Sequence, residues 1–92
     1  MHDIKIKLIE WGIRPDIAEA GQRAYEYLSD PKKCLLGAEY PEEIADAVFG
    51  QPTMAWSKTR AHTQHALEIM ANRGLVEQGR NDRMYRVVQQ AE

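Results

Sequence analysis

Between Ser57 and Val88 a helical pattern is stopped by glycine and followed at once by two short apolar runs, and this order of signals constrains the fold more than any other in the chain. Thr63, Ala66, Leu67 and Met70, with Trp56 ahead of them, recur at spacings of three, four and seven and so share one helical face. Lys58, Arg60, His62, His65 and Glu68 fall largely on the other face. The helix runs to Asn72, and Gly74 after Arg73 is the residue type that closes a helix in a left-handed turn. Leu75-Val76-Glu77 and Met84-Tyr85-Arg86-Val87-Val88 then read as strands. The segment between them, Gln78-Gly79-Arg80-Asn81-Asp82-Arg83, holds three residues that tolerate the tight backbone of a hairpin, Gly79, Asn81 and Asp82. A helix joined to a hairpin by a single glycine places one helix end and one basic loop side by side.

The start of that helix has two readings. It begins near Ser57, or it begins earlier, around Met54, with Thr53 as cap and Trp56 buried; the early start displaces Arg60 and His62 from the helix tip and leaves Lys58 nearer to it. Upstream, Pro41 at a first helical position, Glu42 and Glu43 in the first turn, the stripe Ile44, Ala45, Val48 and Phe49, and Gly50 just beyond mark a short helix. Arg14-Pro15-Asp16 opens a longer one that runs to about Ser29, with Ile17, Ala20, Ala24, Tyr25 and Leu28 on one side and Asp30-Pro31 ending it. Asp3 is a candidate cap for a first helix over Ile4 to Trp11, stopped by Gly12. Ile4-Lys5-Ile6-Lys7-Leu8 also alternates like a strand, but Leu8-Ile9 breaks the alternation, so a helix is the expectation. A very short strand around Ala38 to Tyr40, held extended by the following Pro41, is expected to join the hairpin as the third member of its sheet.

Ninety-two residues, 43% of them apolar and 28% charged, suit a single domain spanning 1–92. Its expected parts are an N-terminal helical extension over 1–13 and a core over 16–88. The lone Cys34 has no disulfide partner within the chain and sits in the apolar run Lys33-Cys34-Leu35-Leu36, where a thiol is most often a small buried hydrophobe. No segment reads as an export signal or a membrane span, so a cytoplasmic protein without membrane association is expected. The formal net charge is −2, which by itself argues against a phosphate-rich partner. Its distribution argues the other way. Met1 to Pro52 carries six Lys/Arg against ten Asp/Glu, whereas Thr53 to Gln90 carries six against three.

The order helix, short strand, helix, helix, strand, turn, strand resembles the winged helix-turn-helix superfamily over about Asp16 to Val88. The likeness is carried by Glu43-Ile44-Ala45-Asp46-Ala47-Val48, similar to the first helix of the motif, and by Thr59-Arg60 through Ala66-Leu67-Glu68-Ile69-Met70-Ala71-Asn72-Arg73-Gly74-Leu75-Val76-Glu77, similar to a recognition helix and its exit into the wing. The resemblance implies a mainly α fold with a small antiparallel β-wing, α+β in class, that binds double-stranded DNA as a transcriptional regulator or small accessory factor of the kind common in bacteria and their phages. It implies a recognition helix over about 57–72 in the major groove and a basic wing over 78–86. By position, Ser57, Lys58, Thr59, Arg60, His62, Gln64 and His65 inherit the helix contacts, and Arg80, Arg83 and Arg86 those of the wing. The chemistry suits them. Arg60 can donate a fork to guanine, Gln64 can pair with adenine, Ser57 or Thr59 can bond phosphate, and arginines on a hairpin tip suit the minor groove or flanking phosphates. One departure is the connection from Gly50 through Gln51-Pro52-Thr53-Met54-Ala55-Trp56, longer than the turn usual in this motif.

The same fold also serves as a protein-interaction module without DNA binding, and the acidic N-terminal half together with Trp11, Trp56, Tyr25, Tyr27 and Tyr40 as anchors fits that alternative. A homodimer through the N-terminal helix is a further expectation, by Ile4, Leu8 and Trp11 or by Ile6, Ile9 and Ile13. No catalytic set, cofactor motif or metal site is expected. His62 and His65 lie three apart on one helical turn, but a structural zinc site needs four ligands and Cys34 and His2 are remote in sequence. Protonated in mild acid, the two imidazoles would add positive charge to the helix.

Overall fold

The computed structural model describes residues 4–50, 57–81 and 83–88. Four helices and one three-stranded antiparallel sheet occupy these residues: α1 (Ile4–Glu10), α2 (Pro15–Ser29), β1 (Ala38–Glu39), α3 (Pro41–Phe49), α4 (Lys58–Asn72), β2 (Val76–Gln78) and β3 (Tyr85–Val87). The fold is therefore mainly α with a small antiparallel sheet. None of the helices among the described residues is long and apolar enough to cross a membrane.

Local chemistry sets the borders. Arg14 and Tyr40 each precede a proline and are extended, at ψ 144° and 148°, so α2 and α3 begin at Pro15 and Pro41 without a side-chain cap. Gly50 ends α3 at φ 71°, in the left-handed region. Ser57 caps α4: its Oγ accepts the Arg60 N–H at 3.2 Å, which fixes the helix start at Lys58. Thr53, Met54 and Trp56, which carried the early-start reading, lie outside the described residues, as does Asp3. The first segment is a helix as expected, one residue shorter than the pattern suggested, because Gly12 at φ 86° turns the chain after Trp11.

The core lies where α2 packs against α4, with α1, α3 and the sheet closing around them. Leu8, Ile44, Leu67 and Met70 are fully buried, with Val76 and Tyr85 closing the sheet side. Gly21 of α2 lets three helices approach: a Cβ there would stand 2.6 Å from Leu8 Cδ1 and 3.3 Å from Ala66 Cβ. Ile4 and Leu8 are thus part of this domain's own core, while Ile6 and Ile9 on the same helix remain exposed. Thr63, wholly buried, donates from Oγ1 to the Thr59 carbonyl at 2.9 Å, so its hydroxyl is satisfied within α4. Cys34 is buried too, and burial pushes its thiol pKa up.

The sheet order is β1-β3-β2, with Ala38 opposite Arg86, Glu39 opposite Tyr85, and Val76, Glu77 and Gln78 opposite Val87, Arg86 and Tyr85. The central strand β3 is therefore the last in sequence, and the short β1 covers one of its edges.

Candidate nucleic-acid interface

At about 100° per residue, Thr63, Ala66, Leu67 and Met70 occupy the inward side of α4, and the directly opposite ridge is Lys58, Ala61, His65, Glu68 and Asn72, all exposed. Arg60 and Gln64 lie on the flank that faces the sheet, and His62 and Ile69 on the flank that faces α2; all four are half-buried. The sequence-predicted helix residues are thus spread over one ridge and two flanks.

Each flank is anchored differently. On the α2 side, His62 Nε2 stands 3.7 Å from Asp16 Oδ2, and that carboxylate also accepts from Arg14 Nη2 at 3.0 Å. Nearer the helix end, the Arg73 guanidinium sits 4.6 Å from the centroid of a Trp11 ring, which ties α4 to the segment after α1. On the sheet side, Gln64 Nε2 donates to Glu68 Oε1 at 3.1 Å. The Tyr85 phenol beneath has its pKa raised by burial, with the Glu68 charge adding to the rise and a hydrogen bond from Gln64 offsetting part of it. Gln64 is accordingly held between Glu68 and Tyr85. Ser57 and Thr59 share a hydroxyl contact of 3.3 Å at the helix start.

Leu75 N–H bonds the Met70 carbonyl at 2.9 Å at the base of the hairpin, and β2 packs against α4. Tyr85 faces Gln78 across the ladder, and the turn beyond them, which carries Arg80 and Arg83, closes through Gly79 N–H to the Met84 carbonyl at 3.0 Å. Arg86 stands opposite Glu77 within the ladder.

The hairpin loop is not purely cationic in its surroundings. Arg83 Nη2 bonds Glu42 Oε1 at 3.3 Å, across 41 positions of sequence, and Glu42 belongs to the first turn of α3. Next to it, Glu43 lies within the influence of Glu39, Glu42 and Asp46. Glu43 has its pKa raised first by a hydrogen bond to Glu39 and then by the Glu39 charge, with desolvation, Glu42 and Asp46 adding to the rise. A second surface was not legible as such: Leu35 and Leu36 are 85% and 83% exposed in a turn that Cys34 and Gly37 close at 3.1 Å. They line an open groove of about 460 Å³ together with Leu28, Pro31, Cys34 and Val87, at the hairpin's base and away from its tip. Of the aromatic residues considered as interface anchors, Tyr25 is 8% exposed and belongs to the core, Trp11 lies under Arg73, and Trp56 is outside the described residues. Among the described residues no cluster of three or more His, Cys, Asp or Glu could hold a metal ion. No family model matches the chain, and neither a curated protein nor a solved structure matches it.

Proposed function

We propose that the chain is a winged helix-turn-helix domain that binds double-stranded DNA, as a transcriptional regulator or small accessory factor, with α3 and α4 as the helix pair and the β2–β3 hairpin as the wing. The observation that supports the reading is that a hairpin follows α4 directly, its base held by the Leu75 N–H on the Met70 carbonyl, with Arg80 on its loop and Lys58 and Arg60 in the first turn of α4. A duplex presents phosphates on both sides of its major groove, and a helix flanked by a basic loop meets both. Lys58 and the Ser57–Thr59 hydroxyls serve phosphates, Arg60 reads guanine by a two-pronged contact, and His65 on the outer ridge faces the groove. Gln64 can read adenine only by giving up Glu68. Pairing of two copies would fall to Ile6 and Ile9, since Ile4 and Leu8 are buried.

The test is selection of bound duplexes from a random pool, followed by two variants. Arg60→Ala is expected to lose about 1 to 3 kcal/mol on the selected duplex and to relax preference at one base, whereas Lys58→Ala weakens selected and random duplexes alike. An identical profile for the two variants would refute the division of labour, and failure to enrich any duplex would refute sequence-specific binding. The second reading is a protein-interaction module. It draws on the Leu35–Leu36 turn and the carboxylates of α3, and it expects no duplex binding at any salt concentration.

A further inference from the structure

Resting on the DNA-binding reading, we propose that Glu42 is a built-in competitor for the wing: its carboxylate occupies Arg83 in the free protein, and DNA phosphate must displace it before the wing can close on the duplex. Three observations converge on Arg83. Its backbone is left-handed at φ 57°, a conformation that an L side chain disfavours and that needs support from its surroundings. The Gln78 side-chain amide donates to the Arg83 carbonyl at 3.1 Å and holds that conformation. The guanidinium, though its side chain is 70% exposed and open to water, is directed to Glu42. The hairpin tip is thereby tied to the first turn of α3.

Glu42 is well placed to imitate a phosphate. A carboxylate offers the guanidinium the same paired acceptor oxygens as a phosphodiester, and the carboxylates of Glu39, Glu42 and Asp46 that act on the adjacent Glu43 make this corner repel an approaching backbone. The contact is solvent-exposed and hence weak, so it can be exchanged during binding instead of blocking it. It tunes affinity, and it adds a penalty that falls equally on every duplex sequence, because Arg83 faces backbone and not base edges.

The experiment is a double-variant cycle on duplex affinity at about 50 mM salt, with Glu42→Gln, Arg83→Ala and the two combined, and with Glu10→Gln on α1 as a control for net charge. Glu42→Gln is expected to tighten binding about two- to fivefold on selected and random duplexes, and to give no gain in the Arg83→Ala background. Glu10→Gln should leave affinity within the scatter of the parent. A gain that persists without Arg83, or that Glu10→Gln reproduces, would overturn the proposal in favour of general electrostatics. No gain in a parent that binds DNA would overturn it outright. Lack of duplex binding by the parent and every variant would instead remove the DNA reading, and the competitor role with it.

Discussion

Raising salt from about 50 to about 200 mM should weaken binding to duplex DNA by roughly 12- to 40-fold. The range follows from counting cations. Lys58 and Arg80 are the side chains assigned to phosphates, Arg60 being assigned to a base, and each phosphate neutralised releases counterions, so two contacts give a log-log slope near −1.8. Arg83 becomes the third contact when phosphate displaces Glu42, taking the slope to about −2.7. Arg86 is left out because it stands opposite Glu77 inside the hairpin ladder. A fluorescence-anisotropy titration over four salt concentrations would give the slope directly. A slope shallower than about −1 would mean that these side chains do not meet a phosphate backbone, whatever the affinity at low salt.

Truncating Leu67 to alanine should remove about 2 to 5 kcal/mol of folding stability. Leu67 has no exposed surface and belongs to the cluster with Leu8, Ile44, Met70, Val76 and Tyr85. Because α1, α2, α3 and the sheet all contribute to that cluster, no single element can shift to fill the void. For a domain of this size the loss is a large share of a total of roughly 5 to 14 kcal/mol, and the melting temperature should fall by about 10 to 30 °C. Ala61→Ser, on the exposed ridge of the same helix, should stay within about 0.5 kcal/mol of the parent and separates burial from helix propensity. Thermal and urea unfolding of both variants would decide, and a Leu67→Ala cost below about 1 kcal/mol would place the core elsewhere.

Much of the fold could be read from the sequence because its signals were local. Pro41 and Gly50 bracket α3 by backbone chemistry alone, Ser57 caps α4 by its own hydroxyl, and the three-four-seven spacing of Thr63, Ala66, Leu67 and Met70 puts four buried residues on one face. Even β1, only two residues long, was foreshadowed by the extended geometry that a proline imposes on its predecessor.

What escaped the sequence was set by tertiary approach. Gly21 reads as a weak point inside a helix, and its role as the place where α1 and α4 come close appears only when Leu8 and Ala66 are seen against it. Arg60 and His62, two positions apart, fall on opposite flanks of α4 and acquire different neighbours, a division that hydrophobic periodicity does not resolve because both lie between its buried and exposed extremes. The link from Arg83 to Glu42 spans 41 positions and depends on β1 lying against β3. Leu35 and Leu36 sit in an apolar run with Cys34, yet only Cys34 turns inward, because the tight turn to Gly37 leaves the two leucines in between facing water.

The most direct measurement is amide chemical-shift mapping of the uniformly labelled protein during titration with a selected duplex. The DNA-binding account requires the largest changes at Lys58 to His65 and at Gly79 to Arg83, with Ile6, Ile9, Leu35 and Leu36 unmoved. Changes concentrated on the Leu35–Leu36 turn, or none along α4 at saturating duplex, would contradict it.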